Sequence, residues 1–218
     1  MKDDLQLQQR VIDELEFDPG VNAAHIGVSV RDGVVTLSGH VESFFEKHEA
    51  ERAARRIRGV KAVAQELLVH LPSDRKTEDD EIAARAVKIL SWDALVPDER
   101  ISVQVEHGVV MLSGEVEWNY QRQEAEYDVR KLGGIKTIVN NITVKPMVRA
   151  EDVQTKIRAA LERSAIVQAS RITVDVSGNT VTLGGTAPGW TERQAAERAA
   201  WSVAGVTQVE DRIELARL

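Results

Sequence analysis

The sequence predicts an α+β protein made of three tandem αββαβ domains, each a three-stranded mixed sheet with two helices on one face. Three observations lead to this prediction. A series of apolar residues that begins at Leu7 begins again at Ile82 and at Val153, so the chain repeats itself. Within each repeat the apolar spacing changes from helical to alternating and back. Glycines recur at matching points of all three repeats. The predicted domains are residues 1–71, 77–146 and 149–218.

The first element of each repeat is predicted to be an amphipathic helix. Its apolar residues lie four positions apart and form one stripe, which comprises Leu7, Val11 and Leu15; Ile82, Ala86 and Leu90; and Val153, Ile157 and Leu161. Acidic side chains such as Asp4, Asp79 and Asp152 precede or open the helix, which suits the positive end of its dipole. Phe17 and Trp92, at matching ends of the first two helices, are expected to cover the core.

A β-hairpin follows, because the apolar period changes to two. The inward residues of the first strand are Ile26, Val28 and Val30; Ile101, Val103 and Val105; and Ile172, Val174 and Val176. The turns are Asp32-Gly33, His107-Gly108 and Gly178-Asn179, pairs that favour or permit primed turns. The return strand is predicted to end at Gly39, Gly114 and Gly185, where a missing Cβ permits a bend or close packing.

A second helix and a last strand complete each repeat. The helix is predicted over residues 43–58, 118–133 and 189–204, and Gly59, Gly134 and Gly205 are expected at its C′ position. Small inward residues such as Ala50, Ala125 and Ala196 let this helix lie close to the sheet. Trp201 is expected to contact a neighbouring repeat. Since the outward strand residues are polar, both helices must cover the same sheet face, and the strand order stays open.

Composition and motifs argue against several function classes. The formal net charge of −7 disfavours attraction of the whole chain to nucleic acid, which is not expected as a partner. The absence of cysteine excludes thiolate catalysis and thiolate metal sites. No Gly-rich phosphate loop, His-Glu-x-x-His motif or serine elbow is present. The five histidines, which fall in different elements, are predicted to be surface residues: His25, His40, His48, His70 and His107. The sequence therefore predicts no enzyme, no metal site and no cofactor.

Aromatic residues are the best candidates for a binding site. They make up only 4% of the chain, yet they cluster where the hairpin leads into the second helix. The candidate lipid- or partner-binding residues are Phe44, Phe45, Trp118, Tyr120 and Trp190. Tryptophan and tyrosine suit a membrane interface. The alternative interpretation is a hydrophobic staple or packing between repeats.

Arginines on the second helix of the first repeat are a weaker candidate. Arg52, Arg55, Arg56 and Arg58 are accompanied by glutamates, which predicts a salt-bridged solvated face. A headgroup patch for anionic lipid is the alternative.

The arrangement resembles the BON domain family (bacterial OsmY and nodulation). The resemblance rests on the αββαβ order, on the motifs at residues 35–41, 110–116 and 181–187, and on the pairs Gly59-Val60, Gly134-Ile135 and Gly205-Val206. It implies a non-catalytic module of bacterial stress and envelope proteins, including osmotic stress, with phospholipid surfaces or envelope proteins as partners. A cytoplasmic relative that joins this domain to a LysM segment responds to potassium, and the resemblance to it implies an ion sensor as an alternative. A chaperone-like or structural interaction protein that assembles through strand edges is a further alternative.

The sequence also predicts a location. The segment that follows Met1 has two acids and no apolar stretch of a secretory signal, and no apolar run is long enough to span a bilayer. The expectation is a cytoplasmic protein if Met1 is the natural start, and a periplasmic one if the N-terminus was trimmed.

Overall fold

A computed structural model describes residues 2–72, 77–146, 153–163, 171–203 and 206–216. The first repeat contains α1 (Lys2–Phe17), β1 (Ile26–Arg31), β2 (Val34–Val41), α2 (Phe44–Arg56) and β3 (Ala62–Val69). The second contains α3 (Asp79–Trp92), β4 (Ile101–Glu106), β5 (Val109–Val116), α4 (Asn119–Arg130) and β6 (Thr137–Val144). The third contains α5 (Val153–Arg163), β7 (Ile172–Ser177), β8 (Thr180–Ala187), α6 (Trp190–Trp201), β9 (Gln208–Asp211) and β10 (Glu214–Leu215). The predicted αββαβ order is confirmed. Gly205 and Asp152 lie outside the described residues.

The chain divides into two compact units. Residues 1–88, 104–111 and 128–139 form the first unit, and residues 89–103, 112–127 and 140–218 form the second. The first unit therefore holds the whole first repeat, and the second unit holds the whole third repeat. In the part of the chain that the structure describes, no helix is long and apolar enough to cross a membrane.

The hairpin return strand is central in every sheet. The orders are β1-β2-β3, β4-β5-β6 and β7-β8 with β9 and β10 on the far side of β8. In the first sheet β1 pairs antiparallel with β2, and β2 pairs parallel with β3, so the sheet is mixed as predicted. In the third repeat the last strand is split: β9 and β10 both pair parallel with β8, and Arg212 between them still donates its backbone N–H to the carbonyl of Leu183 at 2.8 Å.

Each helix stripe predicted from the sequence is buried. In the first repeat Leu7, Val11 and Leu15 are at most 4% exposed and pack with the inward strand residues Val35 and Leu37, which are fully buried. The third repeat has the equivalent core of Val153, Ile157, Leu161, Val181 and Leu183. The alternation of the hairpin strands is also confirmed, because partly buried residues alternate with exposed ones along β1 and β4, and buried or partly buried residues alternate with exposed ones along β7.

Two aromatic residues that were expected to cover the core are exposed instead. Phe17 is 83% exposed and Trp92 is 80% exposed, so this prediction was wrong. The reason is helical geometry: Phe17 follows the buried Leu15 by two positions, which turns it about 200° around the helix axis. Trp201 packs against the core of its own repeat, and its expected contact with a neighbouring repeat stays a prediction.

The recurrent glycine of the return strand allows two strands to touch. Gly39 has a φ of +110°, and a Cβ at this position would lie 2.1 Å from the backbone oxygen of His25. Gly114 and Gly185 show the same contact, at 2.0 Å, with the backbone oxygens of Arg100 and Arg171. Close packing is therefore confirmed, but the strand does not end there, because β2 continues to Val41.

The second helix ends earlier than predicted. In the first repeat α2 stops at Arg56 with Ile57 as its C-cap, so Gly59 lies one residue beyond the expected C′ position. Its φ of +102° serves the turn into β3, in which the Val60 N–H donates to the Ile57 carbonyl at 3.1 Å.

Candidate functional site

The start of α2 is held by its N-cap and by a buried carboxylate. Ser43 is the N-cap, and its side chain accepts the backbone N–H of Glu46 at 3.1 Å. The Glu46 carboxylate is 8% exposed and accepts two backbone N–H groups, from Glu42 at 2.8 Å and from Asn22 at 2.7 Å. The Ser43 bond satisfies a donor that a helix start otherwise leaves open, and the Glu46 carboxylate ties the helix to the end of β2 and to the loop after α1. The positions that carry Phe44 and Phe45 are therefore rigidly placed.

The second repeat uses an amide in the same place. The Gln121 side-chain oxygen accepts the backbone N–H groups of Glu117 and Trp118, both at 3.0 Å. Trp118 and Tyr120 lie close together, with ring centroids 6.5 Å apart and ring planes 28° from parallel. The stacked pair presents a broad aromatic surface at the start of α4.

The third repeat has one aromatic residue at its helix start. Trp190 is the first residue of α6, and the guanidinium of Arg193 lies over its ring at 5.0 Å from the centroid. Arg193 also forms an ion pair with Asp211 of β9. A cation over the ring face of Trp190 gives this start a different surface chemistry from the first two.

None of the five predicted aromatic residues is fully buried. Phe45 is 37% exposed and Tyr120 is 46% exposed, whereas Phe44, Trp118 and Trp190 are half-buried. Phe45 and Tyr120 occupy equivalent positions in the first two repeats, each one residue after the first residue of the helix. A hydrophobic staple would use the residue before the N-cap, which in the first repeat is Glu42, so these aromatics do not form one. We name the five residues the aromatic helix starts.

The arginines of α2 pair with carboxylates, as the sequence predicted. Arg52 pairs with Glu49, and Arg55 pairs with Glu51. Arg56 reaches Glu14 at 2.9 Å and Asp18 at 2.7 Å on the first helix and the loop after it. The hydrogen bond from Arg56 lowers the pKa of Asp18 below its usual value, and the N–H of Gly20 adds to the effect. These contacts neutralise much of the positive charge of this helix.

Three histidines that appear unrelated in the sequence lie side by side. The ring centroids of His25 and His40 are 4.5 Å apart, and those of His40 and His70 are 5.1 Å apart, with the rings stacked in both pairs. We name these three residues the histidine row. A signal for the first pair was present: His25 lies as far before the Asp32-Gly33 turn as His40 lies after it, and a two-residue turn pairs such positions. The surface position expected for these histidines is confirmed for His25 and His70, whereas His40 is half-buried.

A metal site is not visible in these residues. Across residues 2–72, 77–146, 153–163, 171–203 and 206–216, no three His, Asp or Glu side chains are placed to hold a metal ion. Parallel stacked imidazoles do not aim their nitrogen lone pairs at a common point, which a metal ion requires of its ligands.

Comparisons with known proteins agree with the repeat. The family model described as "BON domain" matches residues 3–70, 78–146 and 149–217. Osmotically-inducible protein Y of Escherichia coli (strain K12) is 30% identical over 147 residues, which is 66% of this chain and 73% of that protein. CdsD, a structural protein of the type III secretion system of Chlamydia trachomatis, shares 16% identity over 97% of this chain and 92% of its own, with a TM-score of 0.27. That score is too low to support an argument. The family matches cover all three repeats, and this chain therefore belongs to the BON domain family, with three copies in tandem.

Proposed function

We propose that this protein is a non-catalytic binding protein of bacterial stress and envelope physiology that engages phospholipid surfaces through its aromatic helix starts. The observation that carries the proposal is the equivalent exposure of Phe45 and Tyr120 on helix starts that are held by side-chain hydrogen bonds from Glu46 and Gln121. Membership in the BON family supports a binding module, and the osmotically inducible relative supports a link to stress.

The physical argument concerns rigid aromatic side chains at a water-facing position. An exposed ring on a fixed helix start can enter the headgroup region without a prior change of backbone conformation. Tyrosine and tryptophan prefer the boundary between hydrocarbon and water, where an apolar body and a polar tip are both satisfied, and Phe45 adds apolar area to the same surface. Three copies in one chain also permit avidity if more than one start meets the same vesicle.

The charge of this region favours aromatic rather than electrostatic attachment. Arg52, Arg55 and Arg56 are engaged with carboxylates, and the chain carries a net charge of −7. We therefore expect binding near pH 8 to depend little on whether the vesicle is anionic or zwitterionic.

Vesicle co-sedimentation at low salt tests the proposal. The double variant Phe45→Ser/Tyr120→Ser removes the two most exposed of the aromatic helix starts, and we expect the apparent affinity for vesicles to fall about thirtyfold, because each exposed ring contributes on the order of 1 kcal/mol. The matched control is Phe17→Ser/Trp92→Ser, which removes two exposed aromatics at the other helix of the same repeats. The control is expected to bind like the wild type.

Two results would overturn the proposal. One is that the wild-type protein pellets with neither phosphatidylcholine vesicles nor phosphatidylglycerol vesicles at low salt. The other is that the control variant loses binding as much as the helix-start variant, since attachment would then not reside in the aromatic helix starts.

A further inference from the structure

The histidine row lies on the open face of the first sheet. Along β2 the inward residues are Val35, Leu37 and Val41, so His40 points to the opposite side, away from the helices. Register places His25 directly before the Ile26–Gly39 pair and therefore opposite His40. His70 follows β3, and its backbone N–H donates to the Val41 carbonyl at 2.8 Å. All three rings consequently occupy one end of the sheet.

That end of the sheet is also where α2 begins. His40 is followed by Val41 and Glu42, and then by the N-cap Ser43 of α2. The histidine row and the aromatic pair Phe44 and Phe45 are thus brought to the same end of the first repeat, on either side of the sheet.

Few other charges face the row. On β3 the exposed Glu66 lies on the open face, and Glu42 is exposed just after β2. Arg31 of β1 points to the same face but lies at the far end of the strand. The remaining open-face residues of β2 are Val34, Thr36 and Ser38, and those of β3 are Ala62, Ala64 and Leu68, none of which carries a charge.

We infer that the histidine row is a proton-dependent site for the phosphate of anionic phospholipid headgroups, so that acidification strengthens attachment of the first repeat. This inference rests on the proposed function. Imidazole is the side chain whose charge changes between about pH 5 and pH 8. Protonation of the row places up to three positive charges beside two carboxylates.

The spacing of the rings explains why a phosphate group is suited to the row. Like charges on rings 4.5 and 5.1 Å apart repel one another, and an anion that contacts more than one imidazolium relieves that repulsion. Protonated imidazole offers two N–H donors, and charge-assisted hydrogen bonds to phosphate oxygens are among the stronger ones in proteins. A basic group near an anionic bilayer contributes about 1 kcal/mol, so two to three charges are sufficient for about a tenfold effect.

Co-sedimentation of the full chain at about pH 8 and about pH 5.5 tests the inference, with phosphatidylglycerol vesicles and with phosphatidylcholine vesicles. For the wild type we expect the fraction bound to phosphatidylglycerol to rise about tenfold on acidification, and the rise to be absent with phosphatidylcholine. The triple variant His25→Gln/His40→Gln/His70→Gln is expected to lose the rise. His107→Asn is the matched control: it removes one exposed histidine of the second repeat, and asparagine tolerates the positive φ of 52° at that turn.

A competition arm separates lipid from free phosphate. Inorganic phosphate and sodium chloride are added at equal ionic strength to the wild type at about pH 5.5. If phosphate removes binding no better than chloride, the row recognises the phosphate of the bilayer surface, as inferred. If millimolar phosphate alone removes the rise, the row is a site for free phosphate and the lipid inference is wrong.

The outcomes also separate this inference from the proposed function. Three outcomes would overturn the inference and leave the aromatic helix starts in place. In the first, the wild type binds at pH 8 but its binding does not rise on acidification. In the others, the triple variant retains the rise, or His107→Asn loses it to the same extent as the triple variant. If the wild type binds only at pH 5.5 and the triple variant does not bind, the result supports the histidine row and rejects attachment through the aromatic helix starts. No binding at either pH rejects both. Circular dichroism of each variant at both pH values verifies that it is folded.

Discussion

The carboxylate of Asp79 accepts the backbone N–H of Gly108 at 2.9 Å, which joins the start of α3 to the turn between β4 and β5. A second oxygen of the same carboxylate accepts the N–H of His107 at 2.6 Å. Asp4 makes the equivalent contact with the N–H of Gly33 at 3.2 Å in the first repeat. A helix dipole alone does not require such contacts, so the acid at the helix start also fixes the hairpin turn.

This contact predicts a pH dependence of stability. The hydrogen bonds from Gly108 and His107 lower the pKa of Asp79 below its usual value. A carboxyl whose pKa is lower in the folded state stabilises the fold above its unfolded pKa of about 3.9, and this contribution disappears as the pH falls through the folded value. We therefore expect Asp79→Ala to lower the urea midpoint at about pH 7, and the gap to the wild type to narrow below about pH 4. Urea denaturation of both proteins at several pH values measures this difference in midpoint. A gap that does not change with pH would contradict this explanation.

The contact between Gly39 and His25 predicts a large cost for any side chain. Gly39→Ala places a Cβ against a backbone oxygen and in the left-handed region, and we expect it to lower the free energy of unfolding of the first repeat by about 3 kcal/mol or more. Gly178→Asn is the control, since a Cβ there meets nothing within 4 Å and asparagine tolerates a φ of +58°. Urea unfolding of the two variants measures the change in unfolding free energy that each substitution causes. Equal effects of the two substitutions would mean that the close approach of the strands is not needed.

The core of the first repeat predicts a cavity effect. Leu37 is fully buried on the central strand, so Leu37→Ala should cost about 2–5 kcal/mol of unfolding free energy. Val87→Ala, at a position that is 56% exposed on α3, should change it by about 0.5 kcal/mol or less. Differential scanning calorimetry of both variants measures the difference. A small effect of Leu37→Ala would show that β2 is not at the centre of the sheet.

The buried carboxylate at the start of α2 predicts a link between stability and the aromatic helix starts. Glu46→Ala leaves the N–H groups of Asn22 and Glu42 without their acceptor, and we expect a loss of about 1–3 kcal/mol. Glu51→Ala, which removes only an ion pair with Arg55 on the same helix, should cost less than about 1 kcal/mol. Thermal unfolding followed by circular dichroism compares the two. If both variants melt like the wild type, the buried carboxylate is not what holds the helix start.

Much of the fold was predictable because the apolar spacing within each repeat identifies the face that is buried. The stripe of Leu7, Val11 and Leu15 and the alternation through Val35 and Leu37 identify a helix and a strand from local spacing alone. Phe17 shows the limit of this reasoning: its apolar character suggested burial, while its angle around the helix places it in solvent. The site was partly predictable. The aromatic helix starts were found from their clustering, but their exposure depends on what packs beside them.

By itself, the sequence determined that one αββαβ unit occurs three times, where its helices and strands lie, which stripe of each first helix is buried and at which points glycine recurs. Only the tertiary structure decided that β2, β5 and β8 are central, that Glu46 and Gln121 hold the helix starts, and that His25, His40 and His70 stack. The physical reason is that apolar period is a property of one segment, whereas lateral strand order and side-chain neighbours arise from pairing between segments that are distant in the chain.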